Sequence, residues 1–416
     1  MLLESILRAL APIKGFVYRK VVWTDETRRR LLVHVEARRG SRGYCSGCGR
    51  KGPGYDRQAV QHWEFVPFWN LPLLLSYAPR RIDCRRCGGP KVELLPWSEG
   101  KSRQTTSYRW FLAGWAKKLS WQEVARSFGT SWDSVYRSVQ MAVAWGLAHR
   151  DLSGIEAIGV DEVAWQKGHR YLTVVYQISG VKRLLWVAEH RKLRSLLGFF
   201  RMLGPQRSAQ LKYVCSDMWR AYLTVIARKA GQAIHVLDRY HVVAKMNKAI
   251  DEVRAAEAKR LKADGHEPVL LHSRWCLLKR AANRTAKQTA KLADLMKYNL
   301  KTVKAYLLKE EFQRFWDYRS IPYAAGFLVE WCRKVRRTKI EPMVKVANTI
   351  EEHGELILNY IEAKGMISAG IVEGLNNKLK LHTKRAYGFR SYDAIQTALY
   401  HGLGALPEPN HTHRFC

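Results

Sequence analysis

The sequence predicts a multidomain α/β protein, and three observations carry that prediction. Strand-like and helix-like stretches alternate between residues 155 and 241. Two paired-cysteine knuckles precede that region, at Cys45-x-x-Cys48 and Cys84-x-x-Cys87. A long basic helical run, residues 242–365, follows it. A chain of 416 residues is long enough for about two to four domains, each with its own core.

Charge narrows the partner. Lys and Arg number 71 against 36 Asp and Glu, a net charge of +35. The excess is uneven: 26 − 11 = +15 in residues 1–150, 13 − 7 = +6 in 151–238, 25 − 11 = +14 in 239–350, and 7 − 7 = 0 in 351–416. Two basic blocks therefore flank a region nearer neutrality. A polyanion fits this pattern, because each neutralised phosphate releases condensed counterion. No run of about eighteen apolar residues exists, so no membrane span or membrane partner is expected. The segment Met1–Lys14 carries Glu4 and Arg8 and lacks a small-residue cleavage site. It does not read as a signal peptide, and a cytoplasmic protein is expected.

Residues 1–42 read as an amphipathic helix followed by strands at Val17–Trp23 and Arg30–Ala37. Residues 43–89 form the cysteine module. Glycines after each pair let the backbone turn its amides toward the thiolates, and two such knuckles supply four ligands for one tetrahedral Zn2+. The long gap between the pairs leaves room for a hairpin near Gln61–Val66 and Leu73–Ala78. Residues 93–150 read as three helices. The first is Thr106–Leu119. The second opens on Ser120-Trp121-Gln122-Glu123, with capping-box spacing. After the turn Phe128-Gly129-Thr130, Ser131 or Asp133 could cap the third. Short helix, glycine turn, longer helix is the helix-turn-helix pattern. Trp132, Ser134, Tyr136 and Arg137 then lie where a recognition helix meets base edges.

The region 155–241 supplies the strand order. An apolar run ends on Asp161, a turn is expected at 164–170, and Tyr171–Ile178 and Arg183–Glu189 read as strands. Leu193–Leu203 is a helix stopped by Gly204-Pro205. Leu211–Ser216 is a strand ending on Asp217, Trp219–Ala230 a helix, and Ala233–Leu237 a strand ending on Asp238. Three strands, then helix, strand, helix, strand, helix fits a ribonuclease H-like core, in which the first and fourth strands are neighbours. Asp161 and Asp217 should then end side by side. The helical insertion, 242–365, is expected to hold helices at Val269–Asn283, Thr285–Asn299, Thr302–Tyr318, Tyr323–Arg337 and Glu351–Ala363. Residues 366–402 form the last part of the core, and 403–416 a disordered tail.

The residue types point to metal-assisted phosphoryl transfer. Such chemistry uses two divalent ions, which hard carboxylate oxygens can hold. Asp161 and Asp217 offer two carboxylates and Glu373 a third, from a helix. On that helix Asn377 and Lys380 share the Glu373 face, with Lys384 and Arg385 beyond. Asp238 and His241 are secondary candidates that could orient a water or touch DNA, or simply begin a helix. Trp316 and Trp331 could stack on an unpaired base, or belong to a helical core.

Glu373 with Lys380 seven residues on, Ser216-Asp217-Met218-Trp219-Arg220-Ala221-Tyr222, Asp238-Arg239-Tyr240-His241-Val242-Val243 and Lys384-Arg385-Ala386-Tyr387-Gly388-Phe389-Arg390 together resemble the ISL-three family of DDE transposases. The order of zinc module, helix-turn-helix and interrupted catalytic core matches too, over about residues 43–400. The resemblance implies a bacterial insertion-sequence enzyme, associated with the nucleoid. It would bind terminal inverted repeats and target DNA, as a dimer on DNA. Asp161, Asp217 and Glu373 would be the catalytic triad, holding two Mg2+ (or Mn2+) ions and catalysing cleavage and strand transfer. Two other functions fit the same residues: a DNA-binding regulator using only the first 150 residues, and a nuclease that does not join strands.

Overall fold

The computed structural model describes residues 3–24, 26–69, 71–166, 168, 170–363 and 369–410. Its contacts divide into two units, Met1–Arg150 with Lys384–Cys416, and Asp151–Thr383.

The first unit opens with α1 (Leu3–Leu10), β1 (Phe16–Trp23) and β2 (Leu31–Ala37). Five further strands follow: β3 (Gly54–Arg57), β4 (Gln61–Phe68), β5 (Leu71–Tyr77), β6 (Arg80–Cys84) and β7 (Gly89–Val92). They form a four-stranded sheet, β1-β2-β5-β4, and a three-stranded sheet, β3-β6-β7. The expected hairpin in the cysteine gap is β4–β5, but it joins the sheet of the first residues rather than the knuckles. The boundary at 42/43 therefore does not separate two sheets. The reason is apolar area. β4 buries Trp63 and Phe65, and β5 buries Leu73, Leu75 and Tyr77. Val33 and Val35 of β2, Phe16, Tyr18 and Trp97 complete that core. Three short strands around a knuckle could not cover such a face.

Three helices complete this part: α2 (Thr106–Ala116), α3 (Trp121–Ser127) and α4 (Trp132–His149). Both halves of the Ser120–Glu123 capping box form. Ser131, not Asp133, caps α4 by accepting from the Ser134 amide. Gly129 turns the chain at φ +61°, a conformation open to glycine without strain.

The second unit begins with β8 (Ala157–Gln166), β9 (Arg170–Gln177) and β10 (Arg183–Glu189). Then come α5 (Leu193–Leu203), α6 (Pro205–Ala209), β11 (Tyr213–Ser216), α7 (Arg220–Lys229) and β12 (Ile234–Leu237). The sheet order is β10-β9-β8-β11-β12, with β8 antiparallel to β9 and parallel to β11. The first and fourth strands of this region are thus neighbours. Asp161 does not end its strand. β8 continues to Gln166 and buries Val163 and Trp165. What ends is the pairing with β11, whose last partners are Gly159 and Cys215. Lys167 and His169 of the expected turn lie outside the described residues. Helix α5 does end at Gly204, which turns at φ +84°, and Pro205 then opens the short separate helix α6.

The insertion is all helix: α8 (Arg239–Ala263), α9 (Arg274–Leu278), α10 (Ala286–Leu295), α11 (Lys301–Gln313), α12 (Ile321–Arg337), α13 (Glu341–Glu352) and α14 (Gly354–Glu362). The helix expected over 269–283 shrinks to α9 and a 3-10 turn, and α13 was not foreseen, although Pro342 marks its first turn. Leu300, before α11, cannot cap a helix. Glu257 of α8 does so instead, accepting from the Lys301 amide at 2.9 Å, the Thr302 amide at 2.8 Å and Thr302 Oγ1 at 2.7 Å. Among the described residues no helix is long and apolar enough to cross a membrane.

The last helices are α15 (Ala369–Arg385) and α16 (Tyr392–Leu403). The division between units falls inside α15, so the stretch 366–402 is not wholly core: α16 packs on α4. Nor are residues 405–410 a free tail. Leu406 sits against Gly146, and Glu408 pairs with Lys117. Residues 411–416 lie outside the described residues.

α15 lies directly on β8. A Cβ added to Gly159 would come within 2.4 Å of Val372 Cγ2. Gly159→Ala should therefore lower stability by about 1–3 kcal/mol in denaturant unfolding. Adding Val372→Ala should recover part of that loss, and an additive double mutant would show that the two do not touch. A second measurement concerns pH. His235 is buried, its Nε2 is 2.8 Å from Ser216 Oγ, and burial pulls its pKa down to about 4. Between about pH 6.5 and about 4 the unfolded chain binds a proton that the native chain does not. Stability should fall through that window by about 3 kcal/mol as pH drops, and His235→Gln should lack this component.

Candidate functional site

The knuckles bring four thiols together. Cys45 and Cys48 sit in the turn before β3, Cys84 ends β6, and Cys87 follows in a 3-10 turn. All four Sγ atoms lie within 4.8 Å of one another, with Cys45–Cys87 at 3.9 Å and Cys48–Cys84 at 3.5 Å. A tetrahedron with Zn–S bonds of about 2.3 Å has edges of about 3.8 Å, so the donor set fits zinc. Gly47 closes the knuckle: its amide donates to Cys45 Sγ at 3.4 Å, and a Cβ there would lie 3.1 Å from Cys87 Sγ.

Of the four recognition-helix candidates, Arg137 is exposed and pairs with Asp133 at 2.9 Å. Ser134 is engaged in the α4 cap, 3.0 Å from Ser131. Trp132 stacks on Tyr136 at 5.4 Å between centroids, and both rings meet Trp121, which in turn meets Phe389. The aromatic pair is thus partly committed to packing, while Arg137 remains turned to solvent.

The carboxylates gather at one end of the five-stranded sheet. Gly159 pairs with Cys215, the last partners of β8 and β11, and Asp161 and Asp217 each follow two residues later. Asp161 Oδ1 accepts from the Glu162 amide at 2.7 Å, and Oδ2 accepts from Asn376 Nδ2. Asn376 Oδ1 in turn accepts from Tyr176 Oη at 3.0 Å. Asp217 Oδ1 accepts from the Trp219 amide at 3.0 Å. Asp238 ends β12 and caps α8, accepting from the Tyr240 amide at 2.8 Å, with His241 Nε2 at 3.9 Å. Burial pushes the Asp161 carboxyl up, and the Asp217 charge adds to this. Burial also pushes Asp238 up, and the charges of Asp161 and Glu373 add to it. Glu373 is exposed, as are Asn377, Lys380 and Lys384 along the same side of α15; Arg385 is half-buried. Among the described residues, the cysteines alone form a group of three or more donors within 4.8 Å; the carboxylates are spaced more widely.

Trp316 is not poised for a base. It is 3% exposed within the core of the insertion, and Trp331, 1% exposed, donates to the Leu308 carbonyl at 2.9 Å. Both are core residues.

Two residues of this site were missed in the sequence. Asn376 is a polar side chain inside the buried stripe Val372, Leu375, Leu379, and a polar residue in such a stripe is the signal that could have found it. Glu162, the residue after Asp161 in β8, lies on the opposite face of the strand and carries an interaction of its own. It pairs with Arg191 at 2.7 Å, and Arg191 covers the Trp219 ring at 3.4 Å. Burial, with the nearby Asp217 charge, pushes Glu162 up to about 8.

Purified protein should contain about one zinc per chain, and Cys45→Ser or Cys84→Ser should lose it along with stability of the first unit. Metal analysis reading no zinc would exclude the assignment.

The family model of the ISL3-type DDE transposases, described as "Transposase", matches residues 158–399. The chain is 29% identical over 395 residues to the transposase for insertion sequence element IS1001 of Bordetella parapertussis, spanning 94% of this chain and 96% of that one. It is 28% identical over 392 residues to the transposase for insertion sequence element IS1557 of Mycobacterium tuberculosis, spanning 88% and 87%. The match to the family begins at the second residue of β8 and runs through the insertion into α16, more than half of the chain. The chain belongs to the ISL3 family of DDE transposases.

Proposed function

We propose that this protein cuts the ends of its own insertion sequence and joins them to target DNA, using Asp161, Asp217 and Glu373 in a ribonuclease H-like core. The observation that supports the reading is the parallel pairing of β8 with β11, whose last partners, Gly159 and Cys215, each lie two residues before an aspartate, Asp161 and Asp217. The acids suit a hard cation. Asp161, whose charge is opposed by burial and by Asp217, gains from a bound positive ion, and the donor atoms of all three acids are oxygen. Asp161, Asp217 and Glu373 would hold Mg2+ (or Mn2+), two ions, which when bound activate the attacking oxygen and stabilise the leaving one.

The chain's own residues do the rest. Asn376 fixes the rotamer of Asp161. Asn377, Lys380, Lys384 and Arg385 hold the DNA backbone beside Glu373. His241, beside Asp238, orients a water or a phosphate. The helix-turn-helix reads the terminal inverted repeats through Arg137 and the exposed edges of Trp132 and Tyr136, with Ser134 in support. The zinc module keeps its strands in place. Two chains act together, one on each end, in the bacterial cytoplasm on the nucleoid.

Asp161→Asn, Asp217→Asn and Glu373→Gln should each reduce cleavage of a duplex carrying the element's end by at least about a thousandfold, with end binding retained. Full cleavage by all three would sink the assignment. A pre-cut end bearing a free 3′-OH should give joined product with the wild type; cutting without joining would favour a nuclease. Binding that needs only residues 1–150, with no cutting by the full chain, would favour a regulator.

A further inference from the structure

The sheet β1-β2-β5-β4 has no role in the function proposed above, yet its topology sets two turns side by side. The hairpins β1–β2 and β4–β5 are joined through parallel pairing of β2 with β5, Leu31 opposite Leu73. Both hairpin turns therefore emerge at the same end of the sheet. One turn follows Trp23 and carries Arg28, Arg29 and Arg30, all exposed. The other carries Phe68 and Trp69, whose rings stack with centroids 5.1 Å apart and 23° between planes. Asp25 and Asn70, in the same turns, lie outside the described residues.

Trp69 is 87% exposed and Trp23 42% exposed. Trp69 and Arg28 also hold left-handed backbone, at φ +45° and +52°. Such backbone is strained for a side chain other than glycine and persists where the surroundings hold it. A single exposed tryptophan needs no explanation. A stacked aromatic pair on a strained tip, beside an arginine turn, within a segment of net charge +15, has a matching partner. Guanidinium groups fit phosphates, and a flat indole fits a base. A nucleic acid offers both at the required closeness; an acidic protein surface offers only the first.

We propose that these paired hairpin tips form a second DNA contact, separate from α4. Arg28, Arg29 and Arg30 hold backbone phosphates, and Trp69, backed by Phe68, stacks on a base at an unstacked step. The inference rests on DNA being the partner in the function proposed above.

Equilibrium binding of the full chain tests it, with a duplex carrying the sequence that flanks this gene and the same duplex with one unpaired base. Trp69→Ala should weaken binding about tenfold, more on the duplex with the unpaired base, and Trp69→Phe should restore most of it. Replacing Arg28, Arg29 and Arg30 together with alanine should reduce the slope of log K against log salt by about 2–3. The thermal midpoint should stay put in every variant, because the side chains are exposed. Wild-type binding with unchanged affinity and unchanged slope in the variants overturns this contact alone. No binding by the wild type to either duplex overturns the DNA reading as a whole.

Discussion

Helix α15 reaches the sheet because residue 159 has no side chain. Val372 occupies the space where a Cβ would stand, and the next contact along the same line is Asn376 on Asp161. Two residues of strand advance about 6.6 Å, and four of helix about 6 Å. The two contacts therefore repeat in step as α15 runs along β8. Removing the first would lift the helix from the strand and release the second. Glu373, one residue past Val372, is placed by the same contact. Everything proposed for the acidic cluster depends on this one close approach.

Electrostatics then gives the cluster its character. Asp161 and Asp238 are desolvated, and each feels the charge of another acid. An isolated fold would avoid such an arrangement, because burial disfavours the ionised forms and like charges disfavour them further. Partial relief comes from the Glu162 amide, Asn376 and His241 around Asp161. On the other face of β8, Glu162 is held by Arg191, itself stacked on Trp219, whose amide binds Asp217. The acids of the two faces are thus tied to fixed partners rather than left to rotate. That rigidity holds these acids in fixed positions at the end of the sheet.

The first unit follows a different economy of structure. Its zinc-fitting knuckle and its larger sheet share one stretch of chain, because the residues between the cysteine pairs leave the knuckle to complete the sheet begun by β1 and β2. The excursion joins two small elements that would each bury little alone. It also explains why the gap between the cysteine pairs is long. The segment after α15 returns to this unit, where α16 packs on α4 and Phe389 meets Trp121.

Local chemistry was legible in the sequence. The cysteine spacing, the capping box at Ser120, the strand sequence around Asp161 and Asp217, and the helical character of 242–365 are each set by residues near in the chain, through caps, turns and apolar period. The motif set also carried the family. Other features needed the folded chain. The strand through Asp161 runs on because Val163 and Trp165 find a core that no local pattern announces. The hairpin at 61–77 belongs to the first sheet because its apolar face is matched there. Asn376 becomes a partner of Asp161, and Glu257 a helix cap, only when segments 215 and 45 residues apart meet. Trp316 resolves to core once the insertion packs around it. The sequence by itself determined which groups were present and their local conformations; the tertiary structure decided which groups touch, because contact across long separations depends on how whole faces pack.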